Sequence, residues 1–140
     1  NTLSDLPNNY SRINAWPGFL ERNQLELVNG NLHKKAIEEL LSQMQWPYVD
    51  CPDIPGMITA RTISMIINEA YFAYGENIST MPDIDIAMKL GTNYPYGPFE
   101  WSRKIGIDHI YTLLEKLCET DDRYEIAPAL ATAAALFNNQ

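Results

Sequence analysis

Residues Lys89–Gly106 read KLGTNYPYGPFEWSRKIG. The stretch holds Gly91, Gly97 and Gly106 with Pro95 and Pro98, the residues that interrupt helices and strands. It also holds Tyr94, Tyr96, Phe99 and Trp101, which a solvated linker would not carry. One arrangement reconciles the two: sharp turns joining short helices whose aromatic side chains fill a helical core. Pro98 then sits in the first turn of a helix that Gly106 ends, and Gly91 stops the helix before it. Tyr94, Pro95 and Phe99 are expected to be largely buried there.

Working outward, helices continue on both sides. Upstream, PGMITARTISMIINEAYFAYGEN (55–77) is predicted to enter a helix at Pro55–Gly56. Ile58, Ile63, Ile66, Ile67, Ala70 and Tyr74 leave it apolar nearly all round. STMPDIDIAMKLG (79–91) follows, with Ser79 or Thr80 as cap and Pro82, Asp83 and Asp85 suited to a first turn. Downstream, Ile107, Ile110, Leu114 and Leu117 form one stripe of a helix over 107–119, and a last helix follows Pro128. No strand is expected from Pro55 onward.

The first fifty residues read differently. SRINAW (11–16), LELV (25–28) and PYVDC (47–51) have the character of short strands, and Asn29–Gly30 closes the second. Between the last two strands lies NLHKKAIEELLSQMQW (31–46). Asn31 can cap it, and Ile37, Leu40, Leu41 and Met44 fall on one helical face. Strand, strand, helix, strand is part of an α/β sheet, too small to be a whole one.

The 140 residues carry a net charge of −8, with 46% apolar and 20% charged residues. That is a soluble globular composition. Its acidity argues against a nucleic-acid surface, because neutralising phosphates takes a basic patch. The apolar run ALATAAALF (129–137) is too short to span a bilayer. Cys51 and Cys118 have neither metal-ligand nor redox spacing and read as reduced thiols, so a cytoplasmic protein is expected.

The helical half closely resembles the C-terminal domain of the 3-hydroxyacyl-CoA dehydrogenase family. The shared landmarks are Pro55–Gly56, Asn68-Glu69-Ala70, Asp83-Ile84-Asp85, Met88-Lys89-Leu90-Gly91, Asn93-Tyr94-Pro95 and Gly97-Pro98-Phe99-Glu100, with Arg123-Tyr124 and Pro128 as the family's closing segment. Residues 10–53 resemble, more weakly, the last strands and helix of the family's nucleotide-binding domain. The resemblance implies a mainly α chain. Residues 54–140 would be a helical domain of the 6-phosphogluconate-dehydrogenase-like type, and residues 1–53 a remnant of a Rossmann-type α/β domain. It also implies the family's chemistry, the NAD-dependent oxidation of the 3-hydroxyl of an acyl-CoA in fatty-acid metabolism. A homodimer would be formed through the helices, with Tyr94, Pro95, Gly97, Pro98 and Phe99 in structural or dimer-forming positions.

The catalytic landmarks depart from that pattern. The family pairs a basic His with a Glu twelve residues on. Glu26 has the right neighbours, and counting back from it places Asn14 where the His belongs; matching Pro17 to the motif's proline places Ile13 there instead. The only histidines are His33 and His109, neither where the motif demands one. The family's Asn–Arg pair becomes Ala60–Arg61, and a substrate-contacting Ser is replaced by Leu3 unless Ser4 shifts into its place. No GxGxxG is present, so this chain is expected to bind no NAD of its own. An Asn cannot hold a proton near neutral pH, so general-base catalysis, worth about 10²–10⁴-fold, is expected to be lost. Two functions follow: a dehydrogenase-like protein whose base lies elsewhere, with Glu26 the first suspect, or a non-catalytic module for dimerisation or acyl-CoA binding.

Overall fold

A computed structural model describes residues 2, 3, 6, 10–30 and 32–138. The chain packs as two units that divide between Ala60 and Arg61.

In the first unit, β1 (Arg12–Ile13), β2 (Leu25–Val28) and β3 (Tyr48–Asp50) form one sheet in that order. β1 pairs antiparallel to β2, with Arg12 opposite Val28 and Ile13 opposite Leu27. β3 lies parallel to β2, with Glu26 opposite Val49. The central strand is buried along its whole length. Helix α1 (Lys34–Gln43) supplies Leu41 to a small core with Leu25 and Leu27, and Ile37, Trp46 and Tyr48 close round it. The apolar face expected for α1 is narrower than predicted. Ile37 and Leu41 reach the core, whereas Leu40 and Met44 are more than half exposed. Leu40 stands about 80° from the middle of that face, and Met44 lies beyond the helix at its C-cap. Asn31, the expected cap, lies outside the described residues; His33 takes the N-cap position without a side-chain hydrogen bond.

Helix α2 (Thr59–Gly75) begins four residues later than the sequence suggested. Gly56 and Met57 both have positive φ (74° and 49°), which no helix accommodates, and Met57 N–H closes a turn onto Ile54 O. The second unit continues with α3 (Met81–Thr92), α4 (Pro98–Ile105), α5 (Ile107–Cys118) and α6 (Pro128–Asn138). Among the described residues it contains no strand. Ile67, Phe99, Ile110, Leu114 and Leu130 are its fully enclosed core. Tyr71 meets Phe99 edge-on at 4.9 Å and Tyr74 meets it at 6.1 Å, a favourable geometry for aromatic rings.

The turn between α3 and α4 shows why this sequence is so rich in chain breakers. Thr80 caps α3 through its side chain, as one of the two expected candidates. Gly91 does not end the helix. Asn93 does, in the left-handed conformation (φ 57°, ψ 33°) that asparagine tolerates. Pro95 is exposed and Tyr94 only half-buried against Trp101, so the burial expected there holds for Phe99 alone. Pro95 occupies the outer side of the reversal, where its ring meets solvent. Gly97 has no side chain with which to cap α4. The cap comes instead from α3: Asp85, 5% exposed, accepts the Phe99 N–H through Oδ1 at 2.8 Å. A Cβ at Gly97 would come within 3.0 Å of that carboxylate, although its φ (−73°) suits any residue. Glu100 folds back to accept the Gly97 N–H at 2.9 Å and binds Lys89 at 2.6 Å.

The α5–α6 connection is fixed from α2. Asn68, fully buried, donates to Glu125 O at 2.8 Å and accepts from Ala127 N–H at 2.9 Å. The Arg61 guanidinium lies over the Tyr124 ring at 4.9 Å and donates to its hydroxyl.

Candidate functional site

The polar groups that carry chemistry in the first unit converge on Glu26. Being on the central strand, this carboxylate is 3% exposed. A buried charge must be met by donors, and here both oxygens are. Asn14 Nδ2 donates to Oε2 at 2.8 Å across the sheet. Thr59, the first residue of α2, donates its backbone N–H to Oε1 at 2.8 Å and its hydroxyl to the same oxygen. Arg22 donates to Thr59 Oγ1 at 2.7 Å and stands 3.6 Å from Oε1. Ala60, beside Thr59, is 1% exposed.

The electrostatics follow from that inventory. Burial pushes the Glu26 pKa up, but the hydrogen bonds from Asn14 and Thr59, with the Arg22 charge behind them, outweigh it and hold the pKa below its ordinary value. Glu26 is therefore an ionised carboxylate with both oxygens hydrogen-bonded, and protonation would weaken the bonds it accepts. It makes a poor general base as it stands. Its chemical competence is to orient a donor, and the donor present is the Asn14 amide.

The twelve-residue spacing thus joins Asn14 and Glu26 in a direct contact, and Ile13 pairs in the sheet instead. Neither histidine enters this cluster. His33 heads α1, and His109 lies exposed on α5, its Nδ1 3.3 Å from Asp108 Oδ2. Leu3 donates its N–H to Asp53 at 2.7 Å, and Ser4 lies outside the described residues. Tyr94, Pro95, Gly97, Pro98 and Phe99 belong to the α3–α4 turn and carry no reactive group. Sequence reasoning missed Thr59 and Arg22. Thr59 had no motif to mark it, and Arg22 lies four residues from Glu26 on a stretch that is not helical, so that spacing carried no signal.

Among the described residues no glycine-rich turn joins a strand to a helix. A pyrophosphate needs free backbone N–H groups in a glycine-rich turn between strand and helix. The β2–α1 connection has Gly30 alone, and its N–H is bonded to Ser11. Among the described residues no cluster of His, Cys, Asp and Glu is placed to hold a metal, and no helix is long and apolar enough to cross a membrane.

Residues 56–137 match the family model described as 3-hydroxyacyl-CoA dehydrogenase, C-terminal domain. The chain is 41% identical over 105 residues to 3-hydroxyadipyl-CoA dehydrogenase of Escherichia coli (strain K12), covering 74% of this chain and 22% of that protein. It is 32% identical over 113 residues to 3-hydroxybutyryl-CoA dehydrogenase of Clostridioides difficile, covering 76% and 40%. It therefore spans less than half the length of these curated relatives. In structure it resembles (S)-3-hydroxybutyryl-CoA dehydrogenase from Ralstonia eutropha, with a TM-score of 0.82 at 26% identity over 92% of this chain and 48% of that one.

Proposed function

Since the chain belongs to the 3-hydroxyacyl-CoA dehydrogenase family, represented chiefly by its C-terminal domain, we propose that it is a member in which the catalytic dyad keeps its shape but has lost its base. The observation that carries this reading is the Asn14–Glu26 hydrogen bond at the spacing where the family places His and Glu. An amide in that position can donate to a substrate oxygen or to Glu26, but it cannot take the hydroxyl proton. Ala60, where the family has Asn, removes a second polar contact. The family reaction would move hydride to NAD; in this chain the residue at the His position cannot remove the accompanying proton.

What is retained then serves binding. The chain is proposed to hold a 3-hydroxyacyl-CoA or related acyl-CoA without oxidising it, as a twofold homodimer formed through α2–α6, in the cytoplasm, where Cys51 and Cys118 stay reduced. The chain alone is proposed not to bind NAD.

Activity is tested by following NADH absorbance with acetoacetyl-CoA. Turnover above roughly 1 s⁻¹ would show that another residue supplies the base. Glu26→Gln would then be the deciding variant. Acyl-CoA and NADH binding are measured separately by calorimetry: saturable acyl-CoA binding without NADH binding is expected, and the reverse overturns the reading. Light scattering after size exclusion tests the assembly, where a mass near 15.9 kDa at micromolar concentration rules out the dimer.

A further inference from the structure

The antiparallel register that sets Arg12 opposite Val28 brings Ser11 to Asn29, just beyond the last pair of the ladder. There one hydroxyl touches two groups. Ser11 Oγ accepts the Gly30 N–H at 3.2 Å and donates to Asn29 Oδ1 at 3.2 Å. The remaining atom of that amide, Asn29 Nδ2, is buried and has no hydrogen-bond partner. Other side-chain amides here are held: Asn14 Nδ2 by Glu26, and Asn68 at both ends by backbone.

A backbone nitrogen following asparagine can attack the side-chain carbonyl carbon, closing a five-membered ring. Glycine is the least hindered residue in the attacking position because it has no Cβ. At Asn29–Gly30 the nucleophile and the electrophile share a single proton-carrying hydroxyl, and nothing anchors the leaving nitrogen.

We propose that Asn29–Gly30 is a self-modifying site, and that Ser11 promotes its deamidation as a proton relay. Gly30 N bonds to Asn29 Cγ. Its proton passes to Ser11 Oγ as the Ser11 proton passes to Oδ1, giving a neutral tetrahedral adduct. The Cγ–Nδ2 bond then breaks, and Nδ2 takes the hydroxyl proton and leaves as ammonia. The cyclic imide that remains is opened by water at either carbonyl, giving an aspartyl or an isoaspartyl residue. No electrons are transferred, and water is the only co-reactant. The product carries a new carboxylate at the exit of β2, three residues from Glu26, in a chain already at −8.

The test follows conversion at each asparagine of the tryptic peptide 23–34 by mass spectrometry, in the native protein and in denaturant. Asn23 serves as the internal control. Asn29 is expected to convert at least as fast in the folded protein as in the denatured chain, while Asn23 does not convert in the fold. Ser11→Ala, shown by circular dichroism to be folded, should slow conversion about fivefold, the factor one neutral hydrogen bond is worth. Ser11→Thr, which keeps the hydroxyl, should convert at close to the native rate. The proposal is overturned if the fold protects Asn29 relative to the denatured chain, or if folded Ser11→Ala converts as fast as the native protein. Should Ser11→Ala not fold, the folded-to-denatured ratio of the native protein decides alone.

Discussion

Replacing Gly97 by serine tests whether the α3–α4 turn is governed by local preference or by the carboxylate that reaches into it. By preference the change helps, since serine is among the best N-cap residues and glycine a middling one. The packing says the opposite. Any Cβ at position 97 comes within 3.0 Å of Asp85 Oδ1, Cβ and Cγ, and Asp85 is too buried to swing aside into water. To make room, the carboxylate must give up the Phe99 N–H, a group belonging to a residue only 1% exposed. Leaving a buried donor unmet costs about 1–3 kcal/mol. Losing a carboxylate at the start of α4 adds about 0.3–1 kcal/mol. Gly97→Ser and Gly97→Ala should therefore destabilise by about 2–3 kcal/mol, with Tm falling by roughly 10 °C or more for a unit of this size. Thermal unfolding followed by far-ultraviolet circular dichroism measures it. The clash and the cap belong to one side chain, so Gly97→Ala added to Asp85→Gly, which removes Oδ1, Cγ and Cβ together, should cost little beyond Asp85→Gly alone. A stabilised Gly97→Ser, or additive losses in the double variant, would falsify the argument.

Three further outcomes are expected. Asn14→His should place an imidazole against Glu26 and raise its pKa above the ordinary value of about 6.5, read by NMR titration. That stabilisation is complete below the unfolded-state pKa and lost as pH rises through the folded one; a pKa at or below the ordinary value would count against the geometry. Glu26, whose folded pKa lies below 4.5, should stabilise the fold above that pH and lose its contribution as pH falls through the folded value. Denaturant unfolding from neutral to acid pH should accordingly have a steeper acid limb in the native protein than in Glu26→Gln, and identical limbs would contradict the assignment. Ser64 Oγ is fully buried without a partner, so Ser64→Ala should leave stability unchanged or raise it by up to about 1 kcal/mol; a loss of that size would mean the hydroxyl is held after all.

The sequence was legible where a local pattern and a local consequence coincide. The Ile110, Leu114, Leu117 stripe, the Thr80 cap and Gly106 at the end of α4 each act within a turn or two of themselves. The Asn14–Glu26 contact was legible for a different reason: a family spacing carried it. Where several local answers compete, the outcome depends on packing that no short window contains. Gly91 and Asn93 are both acceptable helix stops, and the chain uses the later one. Leu40 and Met44 carry the right residue types for a helix core, but only Ile37 and Leu41 reach it, and α1 ends before Met44. The Asp85–Gly97 fit was invisible altogether. Asp85 read as a first-turn acid of its own helix, and nothing in the letters says that the acid serves the next helix. The same holds for Thr59, whose backbone N–H meets a carboxylate thirty-three residues away.

Asn68 has a chemical meaning beyond its two bonds. A primary amide is a side-chain copy of the peptide group, with one carbonyl acceptor and an N–H donor set at nearly the same separation. Segment 125–127 has no strand beside it, yet it receives from Asn68 the acceptor and donor that a neighbouring strand's backbone would present. The helical unit thus holds one rung of β-type pairing whose second rail is a single side chain. Shape alone cannot reproduce that rung. Aspartate would turn an oxygen toward the Glu125 carbonyl, leucine would strand both backbone groups, and glutamine would reach one methylene too far.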